Sequence, residues 1–353
     1  MEHMIDWKLA GTVANGVAGL QSAGDPAPFE NPESFAAESE RLVGAYTGLS
    51  AAELPRAEAV GRDAWIDANL GSMRNVLDPV VERIDGGAKG GLGGLMSGAA
   101  GGLLALEAGA ITGFLAGRVL GQLEFPVLNP EGPARLLFVA PNLGHAARQL
   151  GAEPDVLLRW VALHETTHAL QFGGVPWLRP HLAELVSELL GGLQLDPRSL
   201  LRMPDPRDLR SLLDKVREDG IATIALGPER RAVLDRLQSL MAVLEGYAEH
   251  VMDAVGAEVI PDLERLREAL QRRRRDRSGL LRVLERVIGM DLKLRQYEQG
   301  KAFCDAVVAR AGITALNRVW EGPTRLPTPA ELDDPGAWLV RSAGPLHPQL
   351  AAG

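Results

Sequence analysis

PDVLLRWVALHETTHALQFGG, residues 154–174, is the stretch on which the reading of this chain turns. Proline opens it and two glycines close it, the usual asymmetry of a helix start and end. Val156, Leu157, Trp160, Val161 and Leu163 make it an apolar helix, expected to be buried over about Asp155–Phe172. His164 and His168 stand four residues apart, about 40° around a helix that turns about 100° per residue. Their imidazoles therefore point the same way, one turn apart, and can share Zn²⁺ at roughly 2.0–2.1 Å. Glu165 follows the first histidine directly, where its carboxylate reaches a water beside such an ion without ligating it. Zinc acidifies that water and the carboxylate takes its proton, so Glu165 is the candidate general base. Burying two histidines and a glutamate is costly unless something satisfies them. A pair of hydrogen-bonded core histidines is the bland alternative.

A catalytic zinc site usually has three protein ligands and an open position. The best third candidate lies downstream in Leu244-Glu245-Gly246-Tyr247-Ala248-Glu249-His250. Leu234, Leu237, Met241, Ala248 and Met252 form an apolar stripe there, and Glu245 falls within it. An unpaired carboxylate on a core-facing line is expensive, and a metal would resolve the cost. Glu249 sits one turn later on nearly the same face and is expected to orient a ligand histidine from behind. Gly246 and Ala248 are small enough to let this helix approach the His164 helix closely. For the developing oxyanion the donors to consider are Tyr247, His250, Arg295 and Tyr297, of which Tyr297 is preferred.

Glu245-Gly246-Tyr247-Ala248 resembles the Glu-Gly-Phe-Ala segment that supplies the glutamate ligand in aminopeptidases of the gluzincin clan. A carboxylate four residues after the ligand also resembles the thermolysin-like pattern. Over about residues 40–340 the chain resembles a family of zincin-like metallopeptidases, mainly actinobacterial, whose names tie them to coenzyme F(420) biosynthesis. The resemblance rests on VLGQ (119–122), His-Glu-Thr-Thr-His-Ala-Leu-Gln-Phe (164–172), Glu-Gly-Tyr-Ala-Glu (245–249) and Lys-Leu-Arg-Gln-Tyr (293–297). It implies a mainly helical zincin-like fold with a small hairpin or sheet, and a zinc hydrolase that acts on a peptide or protein. The separation between the histidine pair and Glu245 is much longer than in the aminopeptidases. In zincins an edge strand near the His-Glu helix pairs with the extended substrate, and Arg135–Ala140 is the expected counterpart here.

The rest of the sequence constrains the function class. The 353 residues carry a formal charge of −9, a poor balance for a general nucleic-acid binder. The run Arg272–Arg275 reads as a solvated helix face. The lone cysteine, Cys304, forms no intrachain disulfide and matches no motif of the cysteine-ligated peptide deformylases, which also use His-Glu-x-x-His. One cysteine and an N-terminus without a signal-peptide pattern lead to a cytoplasmic expectation. A zinc-binding protein that keeps the fold without turnover is the remaining rival.

From Gly90 to Gly117 the one charged residue is Glu107, but ten glycines keep the stretch modestly hydrophobic. It reads as a buried helix running to about Leu123, not a membrane span. Gly109, Gly113, Gly117 and Gly121 recur every fourth residue, a smooth ridge for another helix. Asn-Pro-Glu-Gly-Pro at 129–133 is strong turn chemistry, and Phe125–Leu128 with Arg135–Ala140 reads as a hairpin around it. Three regions are expected in one compact unit: helices over 1–85, a catalytic region over 86–320 after a Gly-rich linker at 86–94, and a Pro-rich tail wrapping the surface over 321–353. Further helices are expected at His181–Leu193, Pro206–Glu218, Pro228–Val255, Pro261–Arg275, Leu280–Ile288 and Leu292–Ala311.

Overall fold

The computed structural model describes residues 5–21, 31–85, 91–191, 228–275 and 290–343, and the helices expected at 206–218 and 280–288 lie outside them. The fold is mostly helical with one small sheet. In chain order the main elements are α1 (Trp7–Gly19), α2 (Pro32–Thr47), β1 (Ala57–Val60), α3 (Arg62–Asp85), α4 (Gly91–Ala116), β2 (Gly121–Glu124), β3 (Arg135–Val139), α5 (Ala140–Leu150), α6 (Pro154–Gly174), α7 (Leu178–Gly191), α8 (Pro228–Val259), α9 (Leu263–Arg275) and α10 (Met290–Ala311). Then come α11 (Ile313–Leu316), two short helical turns (Asn317–Trp320 and Pro323–Arg325), α12 (Pro329–Asp333) and α13 (Pro335–Ala343).

The sheet order is β1-β3-β2, with β1 parallel and β2 antiparallel to β3. β3, RLLFV, is apolar beyond its first residue because it is buried on both faces. Alternation splits it between two cores. Leu136 and Phe138 join the core built by α2, α6, α8 and α10. Leu137 and Val139 join a second core with Ala10, Ala14, Trp65 and Ile66 from α1 and α3.

This sheet corrects the hairpin expected from sequence. Arg135–Val139 is a strand, but its antiparallel partner is Gly121–Glu124 and not Phe125–Leu128. Pro126 lacks the N–H that a ladder needs. Phe125 packs instead on Phe172, with ring centroids 4.8 Å apart. The sequence reading also missed β1 in a region expected to be helical. A four-residue strand carries almost no periodicity; it is held by its register with β3 and by the Glu58–Arg135 ion pair at 2.8 Å. Because β3 is central, it cannot be the edge strand expected to meet a substrate. On the side of α6 that edge is β2.

The glycine ridge is real but serves three neighbours. A Cβ on Gly109 or Gly113 would collide with the α1 backbone at Ala10 and Ala14. Gly117 abuts the Gln21 side chain, the helix having ended at Ala116. Gly121 belongs to β2, where a Cβ would stand 2.6 Å from Val161 Cγ1 and 2.8 Å from Glu165 Cγ. Of the stretch expected to be a linker, residues 91–94 are helical. Among the described residues no helix is long and apolar enough to cross a membrane.

The tail from Glu321 does more than wrap the surface. A capping box at Thr328 and Glu331 starts α12, and the fully buried Trp338 of α13 packs edge-on against Phe303 of α10.

Candidate metal centre

Helix α6 delivers the first two donors. Proline at its start and buried Leu157, Leu158, Val161 and Ala162 seat it in the main core, so its last turns enter the interior with their polar side chains. Helix α8 crosses it and supplies Glu245. Oε2 of Glu245 lies 3.5 Å from His164 Nε2 and 3.6 Å from His168 Nε2, and the two Nε2 atoms are 3.2 Å apart. Donors bonded to one tetrahedral zinc at about 2.0–2.1 Å stand about 3.3–3.4 Å from each other. The triangle therefore has the dimensions of a zinc face.

Proton positions point the same way. Gln171 Nε2 donates to the Leu244 carbonyl at 3.2 Å, which leaves Gln171 Oε1 to accept from His168 Nδ1 at 2.8 Å. The reverse amide orientation would set two acceptors against each other across the Leu244 bond. A neutral His168 protonated at Nδ1 presents a lone pair at Nε2. His164 Nδ1 lies 3.2 Å from Met252 Sδ, a weak acceptor, so its Nε2 is likewise the free nitrogen. With both imidazoles neutral, as a bound cation would require, two lone pairs and a carboxylate oxygen converge, a donor set suited to a divalent cation.

The charges respond to this crowding. Burial opposes protonation of His168, but the Glu245 charge overcomes it and raises the pKa to about 9. Burial would likewise raise the Glu245 carboxyl, and the two imidazoles hold it well below the usual carboxylate range instead. For Glu165 burial wins over the pull of His164 and His168 and pushes the carboxyl up. Glu165 lies beside the triangle, not in it. Its Oε2 accepts the Leu123 amide of β2 at 2.9 Å, which fixes the carboxylate against the sheet edge. A cavity of about 300 Å³ opens on this group between β2, Phe172 and Met241.

A family model described as zincin-like metallopeptidase matches residues 5–339. The chain belongs to that family. A solved structure from Chloroflexus aurantiacus, described as "a putative hydrolase with a novel fold", is similar over 97% of this chain and 99% of that one, at 32% identity and a TM-score of 0.71. No curated protein matches the chain. Membership in a zincin-like family implies a metal ion, typically zinc, and His164, His168 and Glu245 are the group among the described residues that would hold it.

Other sequence candidates are placed less centrally in this zincin-like chain. Tyr247 is fully buried and donates to Asn317 Oδ1 at 2.7 Å, so its hydroxyl is committed. His250 is held between Tyr46 Oη at 2.8 Å and Asp305 Oδ1 at 2.7 Å. Tyr297 and Arg295 lie on α10, their side chains outside the described residues. Glu249 is half-buried one turn beyond Glu245, and its charge acts on Arg267. Gly246 does not face α6 as expected. A Cβ there would collide with the Gly300 backbone, so the glycine permits the crossing of α8 with α10.

Sequence reasoning overlooked Gln171, Met252 and the Leu123 amide. Gln171 left a local signal: a polar residue three positions after His168, on the same helix face. Met252 sits on the apolar stripe of α8, where it looks like any core residue. A backbone amide leaves no signal in a sequence at all.

Proposed function

We propose that the protein is a zinc-dependent amide hydrolase, acting on a peptide or protein substrate, with His164, His168 and Glu245 holding the metal and Glu165 as general base. The observation that carries this reading is the donor triangle of 3.2, 3.5 and 3.6 Å with Glu165 beside it. Zinc bound there would acidify water and polarise a carbonyl. The chain supplies the rest. Glu165 Oε2 is anchored by the Leu123 amide, which leaves Oε1 to take the proton of the attacking water and later to return it to the leaving amine.

The β2 edge at Gly121–Leu123 lines the same cavity and is the natural strand for an extended substrate to lie along, with the Leu123 amide itself kept for Glu165. For the developing oxyanion, Tyr247 and His250 are already engaged, which favours Tyr297 among the tyrosine and histidine candidates. A cytoplasmic location and the link to coenzyme F(420) biosynthesis remain what the sequence and its resemblance imply; the reaction does not depend on either.

The test is elemental analysis of the purified protein together with a peptide-cleavage survey of the wild type and Glu165→Gln. Stoichiometric zinc in both, with cleavage in the wild type alone, is the expected result. Absence of metal with the triangle intact would sink the proposal. Zinc without any cleavage would leave a metal-binding protein that has lost turnover.

A further inference from the structure

The cavity at the metal centre does not end there. Leu123, Phe125 and Phe172 also form the wall of a second compartment of about 360 Å³. Phe172 is one helical turn beyond His168, so the two compartments meet about 5–6 Å along α6 from the ligand. The second compartment lies between the loop before β1, the loop between β2 and β3, and the start of α7.

Its far wall carries Arg179. The guanidinium sits over the Phe125 ring, 4.9 Å from the centroid, and Nη2 donates to the Gly132 carbonyl at 2.7 Å. These contacts hold the side chain in place but offer it no counter-ion. Among the described residues no carboxylate pairs with Arg179, and its buried Nε has no hydrogen-bond partner. Desolvation disfavours the charged form, with only the Glu131 charge acting the other way. Two other charged groups line the wall: Arg56, which pairs with Glu33 at 2.9 Å, and Glu53, a carboxylate exposed to solvent. A half-buried, stacked and positioned guanidinium facing a cavity is suited to a planar anion.

We propose that this compartment is a substrate subsite that binds a carboxylate of the amide substrate, with Arg179 as its cation and the Phe125–Phe172 pair as the apolar wall beside it. The inference rests on the hydrolase reading of the neighbouring centre. It adds a substrate class: amides that carry a carboxylate close to the scissile bond, either a chain terminus or an Asp or Glu side chain.

The test is a calorimetric titration of the Glu165→Gln protein, in which no probe is consumed, with and without zinc. N-acetylphenylalanine against its amide reports a terminal carboxylate. N-acetylglutamyl-phenylalanine amide against the glutaminyl analogue reports a side-chain carboxylate. The acid of at least one pair is expected to bind about 10-fold more tightly than its neutral partner, and that pair identifies the source. Arg179→Gln should bring the ratio to one, while Arg179→Lys, which keeps the charge and guards against misfolding, should retain part of it. Equal affinities within both pairs, or no binding of any probe at millimolar concentration, overturn the proposal. So does a preference that survives Arg179→Gln, including one that vanishes on zinc removal and so belongs to the metal. Failure of the hydrolase reading looks different: no zinc and no cleavage, with the Arg179-dependent preference intact.

Discussion

Gln171 Oε1 accepts a hydrogen bond from His168 Nδ1 at 2.8 Å, and that bond decides which imidazole nitrogen is left for a cation. The same side chain reaches the Leu244 carbonyl at 3.2 Å, immediately before Glu245. Gln171 therefore ties the helix of two donors to the helix of the third. Substituting Gln171→Leu keeps the bulk and removes both bonds. Zinc affinity is expected to fall about 10–100-fold, the usual scale for a residue that orients a ligand. Gln171→Glu keeps the acceptor for His168 Nδ1 but sets a second oxygen against the Leu244 carbonyl, so it should restore only part of the affinity. A competition titration in which Gln171→Leu binds zinc as the wild type does would remove this role.

Glu245 and Glu249 lie one turn apart on α8, and a metal titration separates them. Glu245 Oε2 faces both imidazoles, while the Glu249 charge acts on Arg267. Glu245→Ala is expected to lose stoichiometric zinc, and Glu249→Ala to retain it with at most about a 10–100-fold weakening. Chelator-treated wild type should melt at a lower temperature than the loaded protein, because a ligand of the native state stabilises it. The reverse ranking of the two variants would move the ligand to Glu249.

Gly121 is where β2 and α6 touch. An alanine methyl there would press on Val161 and on the Glu165 side chain. Gly121→Ala is expected to destabilise the fold by about 1–3 kcal/mol, the range for overpacking, and to slow turnover by displacing Glu165. Gly102 is the control, since a Cβ there meets nothing within 4 Å. On α4, Gly102→Ala should stabilise by about 0.4–1 kcal/mol through the unfolded chain. Urea unfolding of both variants checks the opposite signs; equal effects would mean that the contact at Gly121 is easily relieved.

Asp305 joins α10 to α8 through His250 and is also reached by Lys301 at 2.5 Å. Burial would raise its pKa, but these donors outweigh burial and lower it. A carboxylate with a depressed folded pKa contributes stability that is present above its unfolded value, about 3.9, and is lost as pH falls through the folded one. Wild type should therefore melt above Asp305→Asn at neutral pH, with the gap closing below about pH 4. Solvent screens this half-exposed group, so the gap should be under about 1 kcal/mol. A gap independent of pH would show that Asp305 acts by packing and not by charge.

Much of the centre was legible in the sequence because its geometry is local. His164, Glu165 and His168 share one helix, and helical periodicity alone sets their relative directions. The helix itself was readable from Pro154, Gly173-Gly174 and the apolar residues between them. Glu245 could be nominated as a carboxylate on an apolar stripe, because burying it without a partner is costly wherever the helix packs. What the sequence could not supply is pairing across long separations. β1 and β3 come from opposite sides of two long helices, and four- or five-residue strands carry too little periodicity to reveal a partner. The hairpin reading failed at Phe125–Leu128 for that reason: local turn chemistry was clear, while the ladder was decided by what β2 could do against β3 and α6. Gly246 shows the same limit, since its sequence records that some backbone must come close but not whose. Only the tertiary structure brings Glu245 within 3.6 Å of both imidazoles and sets the Leu123 amide on Glu165, because through-space distance depends on how whole helices pack, and no stretch of chain encodes that by itself.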